Sequence, residues 1–168
     1  PERAHPFVHV VREQLGPGSR PFAHLRARDG VAAFQLGIPE GPYPLLPFGE
    51  ELYRKRTSLD PADRDVWHRF LVAVRGLPQF ETRDISAERT NSGPAELLLE
   101  DRGRTVLRFS ELGASEQQAL TLGAFSFLSR AAVLVIEYPE THLDFPMQTA
   151  LLTLLQRRID AGRIDQVY

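Results

Sequence analysis

Residues 109–144 read FSELGASEQQALTLGAFSFLSRAAVLVIEYPETHLD, and this stretch decides the fold. Gly113 offers a turn. Ser115 is expected to cap a helix whose first turn carries Glu116, Gln117 and Gln118, groups suited to the positive end of a helix. Ala119, Leu120, Leu122, Phe125 and Leu128 supply an apolar body. The run 132–136 is short, apolar and rich in β-branched residues, bounded by Arg130 and Glu137, the pattern of a strand buried on both faces of a parallel sheet. Pro146 starts a further helix with Leu151, Leu152, Leu155 and Ile159 expected on its buried face. Gly162 stops it, and 164–168 begins the next parallel strand. Strand, helix and strand at that length make a βαβ unit, so the class is α/β.

Upstream of this core the elements are smaller. Residues 6–15 are expected to form a short helix, closed by Gly16. Strands at 22–27 and 31–37 flank Asp29-Gly30, a hairpin signal. The segment 37–49 carries Pro39, Pro42, Pro44 and Pro47 and reads as a connector. Asp60 and Pro61 are an N-cap and first-turn pair, and Val66, Trp67, Phe70, Leu71 and Val74 follow at helical spacing. Strands at 80–88, 96–100 and 104–109 form an antiparallel meander that leads into the Gly113 turn. The division that follows is an irregular, hairpin-bearing arm over 1–57 and a main unit over 58–168.

Composition narrows the function classes. The 168 residues carry a net charge of −2, and 42% are hydrophobic, enough to fill a core without a global basic field for nucleic acid. Cysteine is absent, which excludes disulfides and thiolate metal sites and agrees with a reducing, cytoplasmic setting. No apolar run approaches the roughly 20 residues of a membrane span. The chain begins without methionine and stops within an apolar run, so both ends read as cut. His5 and His9 share helical spacing but lack a third ligand. Arg54, Lys55 and Arg56 form a basic cluster read as a solvated loop.

The order of turn, helix, buried strand and acidic tip in 109–144 resembles the signature, Walker B and D-loop segment of ABC-type ATPases, in the form found in the SMC-like and OLD-like AAA families of bacteria. Glu137 matches the magnesium-associated acid and Pro139 the proline of the acid–acid–Pro pattern. Leu143 and Asp144 match the D-loop, while Pro139-Glu140 and His142-Leu143 match spellings frequent in the OLD-like families. Glu116-Gln117-Gln118 resemble the family's GEQQ, with Ser115 at the glycine. The resemblance covers 96–168 well and 58–95 loosely.

It implies the C-terminal part of a P-loop NTPase domain, with ATP and Mg²⁺ shared at a dimer interface. Gly113, Ala114, Ser115, Glu116 and Gln117 would face the partner's nucleotide, Glu137 would support Mg²⁺, and Asp144 would couple the two sites. Tyr138 stands where the family carries the acid that orients the attacking water. A phenol of pKa about 10 is a poor base at neutral pH, which leaves His142 or Glu140 as substitutes. No GxxxxGK[ST] occurs in the chain, so the implied partner is a P-loop-bearing half or a second copy, with DNA as a further partner. Bacterial relatives serve DNA repair, chromosome handling and phage defence. The competing expectation is a degenerate lobe kept as a non-catalytic scaffold, with Glu137 merely ending a core strand.

Overall fold

The computed structural model describes residues 22–26, 34–38, 41–42, 48–89, 93–101, 105–128, 133–137, 139–140 and 142–167. The helix expected over 6–15 lies outside them. In chain order the elements are β1 (Phe22–Arg26), β2 (Phe34–Ile38), β3 (Gly41–Pro42), α1 (Phe48–Thr57), α2 (Pro61–Arg75), β4 (Arg83–Arg89), β5 (Ala95–Asp101), β6 (Thr105–Arg108), α3 (Ala114–Leu128), β7 (Val133–Glu137), α4 (Phe145–Asp160) and β8 (Gln166–Val167).

Two sheets organise the chain. The larger has the order β3-β2-β1-β7-β8. Within it β1 and β2 are an antiparallel pair, but β1 runs parallel to β7, with Phe22 opposite Val133 and Arg26 opposite Glu137. β7 is also parallel to β8, and α4 makes the crossover between them. The hairpin expected near the amino end is therefore the antiparallel flank of the βαβ sheet. The smaller sheet is the meander β4-β5-β6, with Ile85, Ala87, Ala95, Leu97 and Leu99 buried on its inner face.

Helix α3 is the centre of the core. Every residue from Gln118 to Phe127 is buried, so over that stretch the helix has no solvated face. Apolar character all round is what a helix enclosed by other elements requires. α2 packs beside it through Phe70 and Val74, both fully buried. Asp60 caps α2 by accepting from the Ala62 N–H at 2.9 Å, with Pro61 in the first turn, as its sequence predicts.

α1 overturns the expectation of a loop at 54–56: Arg54 and Arg56 are exposed as expected, but Lys55 is buried. It is helical, and Phe48 and Leu52 belong to the same apolar cluster as Trp67, Phe70 and Phe125. Lys55 is only 4% exposed and is paired with Asp63 of α2. Arg56 donates to the Ala87 carbonyl of β4 at 2.6 Å, and Glu50 accepts from the Ala95 N–H of β5 at 2.9 Å. Gly49 permits that close seat: a Cβ there would stand 2.6 Å from the Ala95 carbonyl oxygen.

Candidate functional site

Glu137 is the last residue of β7, a strand flanked on both sides by parallel neighbours. Val133, Leu134 and Ile136 are buried, which fixes the strand and brings residue 137 to its carboxyl edge. Ligands of open α/β sheets bind at that edge. Tyr138 lies outside the described residues.

The segment after β7 is a built turn. The Leu143 N–H donates to the Glu140 carbonyl at 3.0 Å, Leu143 is buried, and the Gln148 side-chain amide donates to the Leu143 carbonyl at 2.9 Å. His142 has φ 64°, the only positive φ of a non-glycine residue among those described. That left-handed conformation costs a residue with a Cβ about 1–2 kcal/mol. Asp144 caps α4, its Oδ1 accepting from the Met147 N–H at 2.9 Å. The carboxylate expected to couple two nucleotide sites thus already has work in its own turn.

The second candidate region, the start of α3, departs from the sequence expectation in its cap. The helix begins at Ala114, so Gly113 rather than Ser115 precedes it, and the Gly113 carbonyl accepts from the Gln117 N–H at 3.0 Å. The Gly113 N–H donates to Glu116 Oε2 at 2.9 Å. This is the reach-back half of a capping box, in which an acid at the third helical position satisfies the cap's amide. Arg83 of β4 pairs with the other Glu116 oxygen. The Gln117 side-chain amide donates to the carbonyls of Phe109 and Leu112, each at 3.1 Å, and to Ser110 at 3.4 Å. Gly113 and Ala114 are exposed, whereas Ser115 is half-buried and its Oγ has no hydrogen-bond partner.

Of the expected site residues, Gly113, Glu116 and Gln117 are thus joined in one hydrogen-bonded turn with Arg83. No hydrogen bond or ion pair among the described residues links that turn to 139–144. No three His, Asp or Glu side chains among them converge on a point that could hold a metal ion. The sequence contains no glycine-rich loop of the kind that wraps a nucleotide's phosphates.

Two features escaped the sequence reading. Leu152, expected on the buried face of α4, is 65% exposed, while Leu154 takes a buried position. Leu152 stands at a groove of about 380 Å³ beneath the carboxyl edge of β7, whose walls include Ile136, Pro139, Leu143, Leu151 and Val167. The doubled leucines of α4 were the available signal. The other is Arg158, half-buried against α3, which looks like an ordinary solvated charge in sequence.

No protein-family model matches the chain, and no curated protein matches it.

Proposed function

We propose that this chain is the signature-to-Walker-B half of an ABC-type ATPase of the SMC-like or OLD-like group. In this reading Mg-ATP is bound chiefly by a P-loop-bearing half or a second copy, and this chain completes the site across an interface. The observation that carries the proposal is the parallel β7–α4–β8 unit ending β7 on Glu137, preceded in sequence by a helix whose first residue, Ala114, is exposed. A carboxylate at a strand edge and the amides of a helix start are the two polar features that a magnesium-bound polyphosphate uses. Glu137 takes the role beside the metal, and the amides of Ala114 and Ser115 take the role of phosphate donors. DNA repair, chromosome handling and phage defence are the settings this family membership would bring.

A specific observation favours the second reading, a non-catalytic scaffold lobe. The Gly113 amide is held by Glu116, Glu116 is held by Arg83, and Asp144 is held in its cap, so each is satisfied without a ligand. Tyr138 in place of the second acid points the same way. Mixing the chain with a P-loop-bearing polypeptide that binds it, then measuring magnesium-dependent ATP turnover, separates the two. Turnover that Glu137→Gln abolishes is the expected result. A complex that forms without turnover leaves the scaffold reading, and an unchanged rate in Glu137→Gln removes Glu137 from the mechanism.

A further inference from the structure

The exposed apolar residues of α4 and the groove below the carboxyl edge of β7 have no part in the site described above. Phe145 is 79% exposed and Leu152 65%. Seven residues separate them and seven more lead to Ile159, a repeat that drifts only about 20° around a helix at each step. The three therefore lie along one line of α4, Phe145 and Leu152 about 10 Å apart at 1.5 Å per residue. Leu152 and Ile159 also line the groove, beside Ile136, Leu151 and Leu155. One face of the helix thus carries an exposed aromatic ring and, farther along, an apolar recess of about 380 Å³.

What fits this face is set by the order of residues along it. A second α4 laid antiparallel across Leu152 brings Phe145 over Ile159 and the groove, and Gln148 over Gln156. The two leucines meet at the two-fold axis. Each glutamine already donates one N–H internally, Gln148 to the Leu143 carbonyl at 2.9 Å and Gln156 to Asp160 at 2.8 Å. Its carbonyl and second N–H remain for the glutamine opposite. The charges at the helix ends also differ. Glu140, His142 and Asp144 stand at the amino end, while Arg157, Arg158 and Arg163 outnumber Asp160 and Asp165 at the carboxyl end. Antiparallel pairing therefore sets an acidic end against a net basic one, whereas parallel pairing sets acids against acids. A patch that fits its own reversed copy is what an isologous, two-fold dimer requires.

We propose that α4 is a self-association surface: two copies of this chain pair antiparallel along Phe145, Leu152 and Ile159, each Phe145 seated in the groove of the other copy. Removing these side chains from water drives the contact, and the glutamines and end charges fix its direction. The seam includes neither Glu137 nor the Gly113 turn, so it stands or fails apart from the nucleotide reading.

The test is analytical ultracentrifugation of the whole chain, without nucleotide, over a range of concentrations. A reversible monomer–dimer equilibrium is expected. Leu152→Glu is expected to raise its dissociation constant roughly tenfold or more, the equivalent of about 1.4 kcal/mol. Phe145→Ser, at the other exposed position, carries the same test should the first variant not fold. The position of the seam is read by oxidation, because the chain has no cysteine of its own. Facing Cα atoms of helices packed roughly 8–10 Å apart lie within a disulfide's reach. Leu152→Cys is therefore expected to form a disulfide-linked dimer, and Thr153→Cys, exposed but about 100° around the helix, is not. A chain that stays monomeric at every concentration overturns the proposal and leaves the groove to a different polypeptide, a P-loop-bearing one among them. A dimer whose dissociation constant is unchanged in Leu152→Glu lies on another surface and overturns it too. Equal cross-linking at 152 and 153 shows random collision, which does the same.

Discussion

The buried pair of Lys55 and Asp63 gives an asymmetric prediction. Lys55 keeps 4% of its surface, and Asp63 is its nearest acid, with Glu51 farther off at 4.0 Å. Removing the acid leaves a desolvated ammonium, whereas removing the ammonium leaves a carboxylate that is 17% exposed and still bonded by Ser58 at 3.0 Å. Breaking a wholly buried pair costs roughly 3–5 kcal/mol. Partial exposure of Asp63 and help from Glu51 bring Asp63→Ala to about 2–3 kcal/mol on the same scale. Lys55→Met keeps the apolar stem and removes the desolvated charge, so its cost stays below about 1 kcal/mol. Urea unfolding reads both as shifts in midpoint at constant slope. The pH dependence follows from Asp63, whose pKa is lowered first by the hydrogen bond from Lys55, with burial opposing. A depressed folded pKa means stability present above the unfolded value of about 3.9 and lost as pH falls through the folded one. The gap between wild type and Asp63→Ala should therefore narrow in acid below that value. Equal costs for the two substitutions, or a larger cost for Lys55→Met, would refute the assignment of Lys55 as a desolvated cation dependent on Asp63.

Three further outcomes follow from local geometry. Gly49→Ala drives a Cβ to within 2.6 Å of the Ala95 carbonyl oxygen, a backbone atom of β5, and should lower stability by about 1–3 kcal/mol as α1 lifts from the sheet; a neutral thermal melt would show that α1 is not seated there. His142→Gly relieves the left-handed backbone and should gain up to about 1 kcal/mol, while His142→Val should lose at least that much. Both are read by denaturant unfolding, and equal midpoints would deny the strain. At Asp144, asparagine caps a helix about as well as aspartate and alanine costs about 1 kcal/mol, so Asp144→Asn should melt like the wild type and Asp144→Ala lower. If Asp144→Asn instead loses ATP turnover in the assay with a P-loop partner, the carboxylate has a second role beyond its cap.

The parts of the fold legible in sequence are those set by local pattern. The Asp60-Pro61 start of α2 and the apolar run ending on Glu137 each contain their own boundary signals, and both elements lie where expected. What sequence hid depends on distant partners. Arg54-Lys55-Arg56 reads as solvated because Asp63 reaches Lys55 only once α1 and α2 pack. The hairpin β1–β2 joins β7 through a pairing of residues more than a hundred positions apart, which no local period encodes. Adjacent leucines in α4 are separated by about 100° around the helix, so Leu151 is buried and Leu152 exposed, a difference that composition cannot see. In the candidate site the acid at a strand tip was readable from its neighbours. The cap at Gly113 was missed because Ser115 offered a hydroxyl N-cap, whereas Glu116 reaches back to the Gly113 amide and is paired on its other oxygen with Arg83.

That Arg83–Glu116 pair also bears on whether a phosphate can approach the start of α3. Two of the first amides of the helix, at Ala114 and Ser115, have no partner within the helix by its own geometry. An unopposed carboxylate at the third helical position would satisfy the helix dipole and repel an incoming anion. Arg83 changes that balance, since it neutralises Glu116 while Glu116 still holds the Gly113 amide. Gln117 then ties down three carbonyls of the preceding turn, so the start of the helix needs little ordering on binding. The closed network that favours a scaffold is thus also the arrangement that would present Ala114 and Ser115 to a phosphate without electrostatic penalty. Glu116 serves either reading as a structural acid, and the difference between them rests on Glu137 and on what meets it at the strand edge.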